Sequence, residues 1–116
     1  MTSNAEKGED LAAEFLVETG FEIVCRNWRD RFCEIDIVAK KDKCIHIVEV
    51  KYRQDNYHGY GYEFVDKTKQ RRLLKAAQRW TQANRWKGDI VIDVISIDGQ
   101  ELELTYIENA VEMPLR

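Results

Sequence analysis

Two runs of β-branched and other apolar residues dominate the middle of the chain, at residues 34–39 and 44–52. A short polar segment, residues 40–43, separates them. Each run has the length of a strand and the break has the length of a turn, so the pattern predicts a β-hairpin. The second run is almost continuously apolar, as is typical of a central strand covered on both faces.

The apolar spacing on either side of this hairpin predicts five further elements. A first helix is expected to begin at a cap at Ser3 or Asn4 and to end at Gly20. A second helix is expected over residues 65–86, with an inner face formed by Leu73, Ala76, Ala77 and Trp80. Strands are predicted at residues 21–26, 89–97 and 101–107. The order αβββαββ favours an α/β fold in which helices flank a mixed sheet of about five strands.

Four charged residues interrupt the two central runs: Glu34, Asp36, Glu49 and Lys51. Because side chains alternate along a strand, Glu34 should share a face with Asp36, and Glu49 with Lys51. The neighbouring apolar residues are then expected on the opposite face: Ile35, Ile37, Val48 and Val50. Charges inside apolar strands are costly unless they are paired or bind an ion. The pattern therefore indicates a divalent-metal site that activates water, with a buried ion pair of Lys51 as the structural alternative.

Length and composition place the chain among ordinary globular proteins. Its 116 residues, 44% hydrophobic and 34% charged, predict a single domain over residues 1–116. Cys25, Cys33 and Cys44 lie in or beside apolar runs and have no CxxC spacing, so reduced thiols and a cytoplasmic location are expected. His46 and His58 do not pair with them at zinc-ligand spacing, and His46 is expected to be a packing or surface residue. No signal peptide and no membrane-spanning segment are expected, because residues 1–7 contain no apolar core and no apolar run approaches membrane-spanning length.

The charge is unevenly distributed along the chain. The net charge is −3, but residues 66–87 contain eight bases and one acid. Within the second helix, Lys67, Arg71, Lys75 and Arg79 follow one another at a spacing of four and form a ridge. A solvated helix face is one interpretation. We favour a ridge that contacts phosphates, because it contains no interspersed acids.

Two features of the sequence allow more than one interpretation. Glu9 lies on the edge of the apolar stripe of the first helix, where a first-turn acid favoured by the helix dipole and a functional acid are equally reasonable. Residues 54–62 form a predicted loop with two glycines, three tyrosines and His58. Its tyrosines could stack on nucleobases, but we favour a role in covering the nearby core.

Several motifs at their observed spacing resemble the PD-(D/E)XK nuclease superfamily, and within it the small bacterial YraN-like family. The motifs are Gly8-Glu9-Asp10-Leu11-Ala12-Ala13, Arg26-Asn27-Trp28-Arg29, Glu34-Ile35-Asp36-Ile37-Val38-Ala39 and Val48-Glu49-Val50-Lys51. Further similar positions are Arg53, Gly59, Glu63, Val65, Lys69, Arg72 and Ala76-Ala77. The resemblance covers almost the whole chain. Cys33 stands where this family usually has glycine, and its side chain is expected to crowd the start of the strand or an approaching substrate.

The resemblance implies a restriction-endonuclease-like fold, related to that of archaeal Holliday-junction resolvases. It implies that Asp36, Glu49 and Glu9 hold Mg²⁺ or Mn²⁺ and that Lys51 orients or activates the attacking water. Glu34 and Arg53 are candidates for the outer shell of the site. The candidate nucleic-acid contacts are Lys67, Lys69, Arg71, Arg72, Lys75 and Arg79.

The leading hypothesis is a cytoplasmic, metal-dependent nuclease that acts on DNA, with branched or junction DNA as a candidate substrate. A nucleic-acid-binding module without turnover is the first alternative. A protein-interaction or assembly role, including homodimerisation, is the second, and it depends on an exposed edge strand at residues 101–107. No membrane partner is expected.

Overall fold

A computed structural model describes residues 4–53 and 66–111, which form two helices and five strands in the predicted order αβββαββ. The helices are α1 (Asn4–Glu18) and α2 (Lys67–Asn84). The strands are β1 (Glu22–Arg29), β2 (Glu34–Lys41), β3 (Cys44–Arg53), β4 (Asp89–Asp98) and β5 (Glu103–Val111). The mixed α/β fold class is therefore confirmed. The predicted tyrosine-rich loop and the Ser3 cap lie outside the described residues.

The five strands form one sheet in the order β1-β2-β3-β4-β5. Neighbouring strands are antiparallel except for β3 and β4, which run parallel and are separated in the chain by α2. β3 is thus the central strand, as its continuous apolar pattern predicted. β5 lies at an edge, so that part of the assembly hypothesis is confirmed while assembly itself stays a prediction. Neither described helix has the length and apolar character needed to cross a membrane.

Each face of the sheet carries one helix and one hydrophobic core. On the first face, Ala12 and Leu16 of α1 pack with Phe21, Ile37 and Val48. On the second face, the predicted inner residues of α2 are all buried and pack on the sheet: Leu73, Ala76, Ala77 and Trp80. α2 covers the face of the sheet on which Ile45 and Ile47 lie. Because side chains alternate along a strand, Glu49 and Lys51, two and four positions after Ile47, lie on this face as well.

The alternation of β2 breaks at Asp36. Ile35 packs into the core beneath α2, whereas Ile37 packs into the core beneath α1. The prediction that both isoleucines share one face with Val48 is therefore wrong for Ile35. The physical reason is that the paired residues of β2 and β3 run only from Lys41 opposite Cys44 to Ile37 opposite Val48. Beyond Ile37 the strands separate, and strict alternation no longer applies.

Smaller differences concern the ends of the strands and Cys33. β1 continues to Arg29, through residues predicted to be a connection, and Asn27 adopts a φ of 55° within it. β5 begins at Glu103 rather than Glu101. Cys33 is buried in the core beneath α2, so its side chain points away from solvent. The expectation that this side chain obstructs an approaching substrate is therefore wrong, whereas crowding at the start of the strand stays a prediction.

Candidate metal and nucleic-acid site

Asp36 lies where β2 and β3 separate, and its side chain replaces a missing main-chain acceptor. Its Oδ2 accepts a hydrogen bond from the backbone N–H of Val50 at 2.8 Å. The pKa of Asp36 is raised to about 6, chiefly by burial; the hydrogen bond from Val50 acts against this, and the negative charges of Glu49, Glu9 and Glu34 add to it. Three other acids are therefore close enough to Asp36 to act on its ionisation.

Glu9 reaches this region from α1. Its Oε1 is buried and has no hydrogen-bond partner in the part of the chain that the structure describes. Burial raises the pKa of Glu9; Arg26 lowers it, and Asp10 and Glu34 raise it. Arg26 is held by Asp10, whose Oδ1 lies 2.8 Å from its Nη2. A buried carboxylate oxygen without a donor is an acceptor available to a cation.

Gly8 sets how closely α1 approaches β3. A Cβ atom added to Gly8 would lie 3.1 Å from Cδ2 and 3.2 Å from Cβ of Tyr52, which is tighter than most side-chain contacts. Tyr52 directly follows Lys51 on β3. The absence of a side chain at Gly8 therefore lets the first turns of α1, and with them Glu9, lie close against this strand.

Lys51 and Glu49 lie two residues apart on β3 and carry opposite charges. The Nζ of Lys51 is buried, and no acceptor among the described residues lies within hydrogen-bond distance of it. The pKa of Lys51 is lowered to about 8, chiefly by burial and with a contribution from the neighbouring ammonium of Lys69, while Glu49 acts in the opposite direction. The predicted alternative of a closed ion pair between Lys51 and an acid is therefore absent from the described residues.

Glu49 is instead engaged by the second helix. Its Oε1 lies 3.3 Å from Nη2 of Arg72, and its side chain is 17% exposed against 48% for the arginine. Glu49 thus lies between Asp36, whose pKa it raises, and the base Arg72 of α2. The remaining candidates lie around this group. Glu34 is exposed at the start of β2, and Arg53 at the end of β3 contributes to lowering the pKa of Lys51.

The chemistry of this cluster fits a hard divalent cation, since carboxylate oxygens are the ligands that Mg²⁺ and Mn²⁺ favour. The cluster is not arranged as a finished cage. Over residues 4–53 and 66–111, no three Asp, Glu, His or Cys side chains already stand at the spacing of metal ligands. Rotation of the side chains of Glu9, Asp36 and Glu49 would have to accompany binding.

The six basic candidates of α2 divide into two groups. Lys67, Arg71 and Lys75 are exposed along the helix. The other three approach charged residues of the sheet or its turns: Arg72 pairs with Glu49, Lys69 approaches Lys51, and Nε of Arg79 pairs with Oδ2 of Asp30. The predicted ridge of four bases therefore ends at Lys75, because Arg79 is tied to an acid from the connection between β1 and β2.

Comparison with known proteins identifies relatives over most of the chain. The family described as "Uncharacterised protein family UPF0102" matches residues 8–97. A UPF0102 protein of Fusobacterium nucleatum is 42% identical over 104 residues, covering 89% of this chain and 86% of the relative. A UPF0102 protein of Campylobacter jejuni subsp. doylei is 40% identical over 96 residues, covering 83% and 84%. One of Vibrio cholerae is 36% identical over 106 residues, covering 89% and 87%.

The chain belongs to the UPF0102 family. This confirms the resemblance to the YraN-like family and its bacterial distribution, since all three organisms are bacteria. The match spans Glu9, Asp36, Glu49 and Lys51 and ends at Ile97 of β4, which places the cluster within the region that defines UPF0102.

The sequence patterns missed two features of this UPF0102 chain. The first is a buried polar network in which Asp93 of β4 bonds to His46 of β3 and to Tyr106 of β5. The acid in the apolar run of residues 90–97 was the signal that could have predicted it. The second is Phe32, an exposed aromatic between β1 and β2 surrounded by cations. Its signal was the large apolar residue in an otherwise polar connection.

Proposed function

We propose that this UPF0102 chain is a metal-dependent endonuclease of the PD-(D/E)XK type that hydrolyses phosphodiester bonds in DNA in the cytoplasm. The observation that carries the proposal is the pairing of opposite pKa shifts at Asp36 and Lys51. The pKa of the acid is raised to about 6 and that of the lysine is lowered to about 8, in both cases chiefly by burial. Groups held where their charged forms are disfavoured are typical of catalytic and ion-binding sites.

Glu9, Asp36 and Glu49 are the residues that would hold Mg²⁺ or Mn²⁺. Such a cation neutralises charge on a phosphate and lowers the pKa of bound water. Its charge would also relieve the repulsion among the acids around Asp36 and give the unpartnered Oε1 of Glu9 a partner. These three carboxylates support the proposal, because a bound cation would explain why they share one region despite their mutual repulsion.

Lys51 is proposed to position the attacking water and to accept its proton at Nζ. With a pKa of about 8, a substantial fraction of this amine is neutral at mildly alkaline pH, which an ordinary lysine is not. The absence of a hydrogen-bond acceptor at Nζ among the residues the structure covers leaves its lone pair or protons available to a ligand. Arg72 lies beside Glu49 and would bind the substrate phosphate once a cation takes over the glutamate.

The exposed bases of α2 are proposed to bind the DNA backbone. Lys67, Arg71 and Lys75 face solvent on the helix whose Arg72 contacts the acidic cluster. A DNA strand lying along these basic side chains would bring one of its phosphates to Glu49 and Asp36. Positive charge at this position also offsets the repulsion between the acids and the anionic substrate.

The test is cleavage of nicked, duplex and four-way-junction DNA in Mg²⁺ and in Mn²⁺. Asp36→Asn keeps an acceptor for Val50, and Lys51→Met keeps the length of the side chain, so both are expected to fold and to lose at least about a hundredfold in rate. Glu103→Gln, an exposed acid on the edge strand β5, is the matched control and should cleave like wild type. Equal cleavage by wild type and both site variants would overturn the assignment.

The second candidate is a UPF0102 protein that binds nucleic acid without cutting it. The ion pair between Arg72 and Glu49 favours it, because this acid is already satisfied by a base. Salt-sensitive binding through α2, with no cleavage under any metal and no metal-induced stabilisation, would select this candidate over the nuclease.

A further inference from the structure

Phe32 is the most exposed large hydrophobic residue in the described ranges. Its exposure is 64%, compared with 57% for Val17 and 44% for Val24. It lies in the connection between β1 and β2, directly after Arg31. Single exposed hydrophobic residues are common on protein surfaces, so what distinguishes Phe32 is the set of groups that hold and surround it.

The turn that carries Phe32 is fixed by a set of hydrogen bonds. Oδ1 of Asp30 accepts from the backbone N–H of Phe32 at 2.9 Å and from that of Cys33 at 2.8 Å. The N–H of Asp30 donates to the carbonyl of Cys33 at 3.0 Å. Oδ2 of Asp30 pairs with Arg79 of α2, and the side chain of Cys33 is buried. The exposed ring is therefore presented by a rigid turn that is anchored to the core on one side and to α2 on the other.

Three cations surround the ring. The Cζ of Arg79 lies 4.5 Å from the ring centroid, the Cζ of Arg31 5.6 Å and the Nζ of Lys75 5.7 Å. Cations at these distances are attracted to an aromatic face. An exposed ring flanked by bases is the combination with which proteins bind single-stranded nucleic acids, because the ring stacks on a base and the cations hold adjacent phosphates.

We propose that Phe32 is a stacking site for one unpaired nucleobase, and that Arg31 and Lys75 bind the phosphates on either side of it. An apolar side chain from a protein partner fits less well, because covering the ring would also desolvate Arg31 and Lys75, which such a side chain cannot neutralise. Bases inside an intact duplex are stacked on both faces, so the site selects nucleotides that are single-stranded, flipped or at a branch point.

This inference rests on the proposed function in one respect: it defines the substrate class of the same protein. Phe32 lies in the connection that leads into β2 and precedes Asp36 by four residues, which is at most about 13 Å along an extended chain. A base held at Phe32 would therefore lie close to the acidic cluster. The proposed nuclease would then cut next to unpaired nucleotides rather than within continuous duplex.

The test measures binding in EDTA, so that no cleavage is needed. The probes are a short oligothymidylate with one central 2-aminopurine, whose fluorescence falls when it stacks, and a blunt duplex of the same length. Wild type is expected to quench the fluorescence on binding. Phe32→Leu keeps an apolar side chain without a π face, and we expect about tenfold weaker binding of the single strand, loss of the quenching and unchanged binding of the duplex. Phe32→Trp should restore both.

Val17→Ala removes a similarly exposed apolar side chain from α1 and should change the binding of neither probe. Thermal unfolding of Phe32→Leu at the wild-type temperature would show that this variant remains folded. Equal weakening for both probes, or wild-type binding by Phe32→Leu, would overturn the stacking site. So would failure of wild type to bind the single strand, even if duplex cleavage supports the nuclease. The expected binding without any metal-dependent cleavage would support the stacking site and reject the nuclease.

Discussion

Nδ1 of His46 lies 2.5 Å from Oδ2 of Asp93, and the two side chains are 6% and 0% exposed. The same oxygen accepts the hydroxyl of Tyr106 at 2.6 Å, and Oδ1 accepts the backbone N–H of Asn109 at 2.8 Å. A carboxylate only accepts, so Nδ1 of His46 carries the proton in this contact. The buried acid therefore joins β3, β4 and β5 through three donors, at a distance in the chain from the proposed catalytic cluster.

Replacement of this acid should destabilise the protein strongly. Asp93→Ala leaves the three donors buried without an acceptor, so the free energy of unfolding should fall by about 3–5 kcal/mol. Urea unfolding monitored by circular dichroism measures it. Asp89→Ala, an exposed acid at the start of the same strand, should change the free energy by less than about 0.5 kcal/mol. Similar effects of the two variants would show that the network contributes little.

Removal of the charge at Asp36 should stabilise the metal-free protein in a pH-dependent way. The pKa of Asp36 is about 6 in the folded chain and 3.8 ordinarily, so the folded chain holds this proton more tightly. Wild type therefore loses stability as the pH rises from about 4 to about 6, and the full destabilisation by ionised Asp36 is present above about pH 6. In EDTA at pH 7.5, Asp36→Asn should be more stable than wild type by about 1–3 kcal/mol.

The advantage of Asp36→Asn should largely disappear at pH 4, where the acid of the folded wild-type chain is protonated. Denaturant unfolding at the two pH values measures the difference directly. A variant that is less stable than wild type at pH 7.5 would mean that Asp36 is not held in a disfavoured charged state.

Binding of Mn²⁺ should raise the unfolding temperature, and more so at pH 7.5 than at pH 5. Asp36 must lose its proton to become a ligand, and its pKa of about 6 lies between these values. At a hundredfold excess over the dissociation constant the gain is about 2.7 kcal/mol, which corresponds to several degrees. Differential scanning calorimetry measures it. Asp36→Asn should remove the shift and Glu103→Gln should retain it; a shift of equal size in both would place the ion elsewhere.

Replacement of Lys51 should raise stability while it abolishes activity. The pKa of Lys51 is lowered to about 8, so its charged form is disfavoured in the folded chain, and wild-type stability should rise with pH between about 8 and 10.5. Lys51→Met should therefore be more stable than wild type at pH 7 by about 1 kcal/mol, a value reduced for the solvent around this side chain. The same variant should lose cleavage, and loss of stability instead would argue for a structural role.

The exposed bases of α2 should act through the salt dependence of binding. Arg71→Gln removes one proposed phosphate contact, so the slope of log affinity against log salt should become less steep by about one. Fluorescence anisotropy over a salt series measures it. Lys43→Gln, an exposed base in the turn between β2 and β3, is the control and should leave the slope unchanged. An unchanged slope for Arg71→Gln would exclude this residue from the contact surface.

Local periodicity predicted the elements and their order because each element buries a regular stripe or run. The inner face of α2 was predicted residue by residue, since Leu73, Ala76, Ala77 and Trp80 follow the helical period. β1 was predicted too short because an edge strand with polar, exposed positions resembles a loop. Trp28 and Arg29 at its end are recognisable as strand only through their pairing with Ile35 and Glu34 of β2.

The sequence predicted less about contacts between distant residues. The side chains of Ile35 and Ile37 pack on different faces because β2 leaves β3 at Asp36, and separation of two strands has no local pattern. His46 and Asp93 are 47 positions apart and meet only through the parallel pairing of β3 with β4. Arg79 continues the series of bases spaced four apart in α2, but it is bound by Asp30. No pattern in the sequence indicates that contact.

The contact between Arg79 and Asp30 joins the second helix to the turn before β2, so these two surfaces keep one orientation. A nucleotide seated on the ring and a backbone lying along the helix would then be fixed relative to the acids of β2 and β3. The proposed nuclease would then cut at a constant distance from the unpaired nucleotide stacked on Phe32, whatever the surrounding sequence.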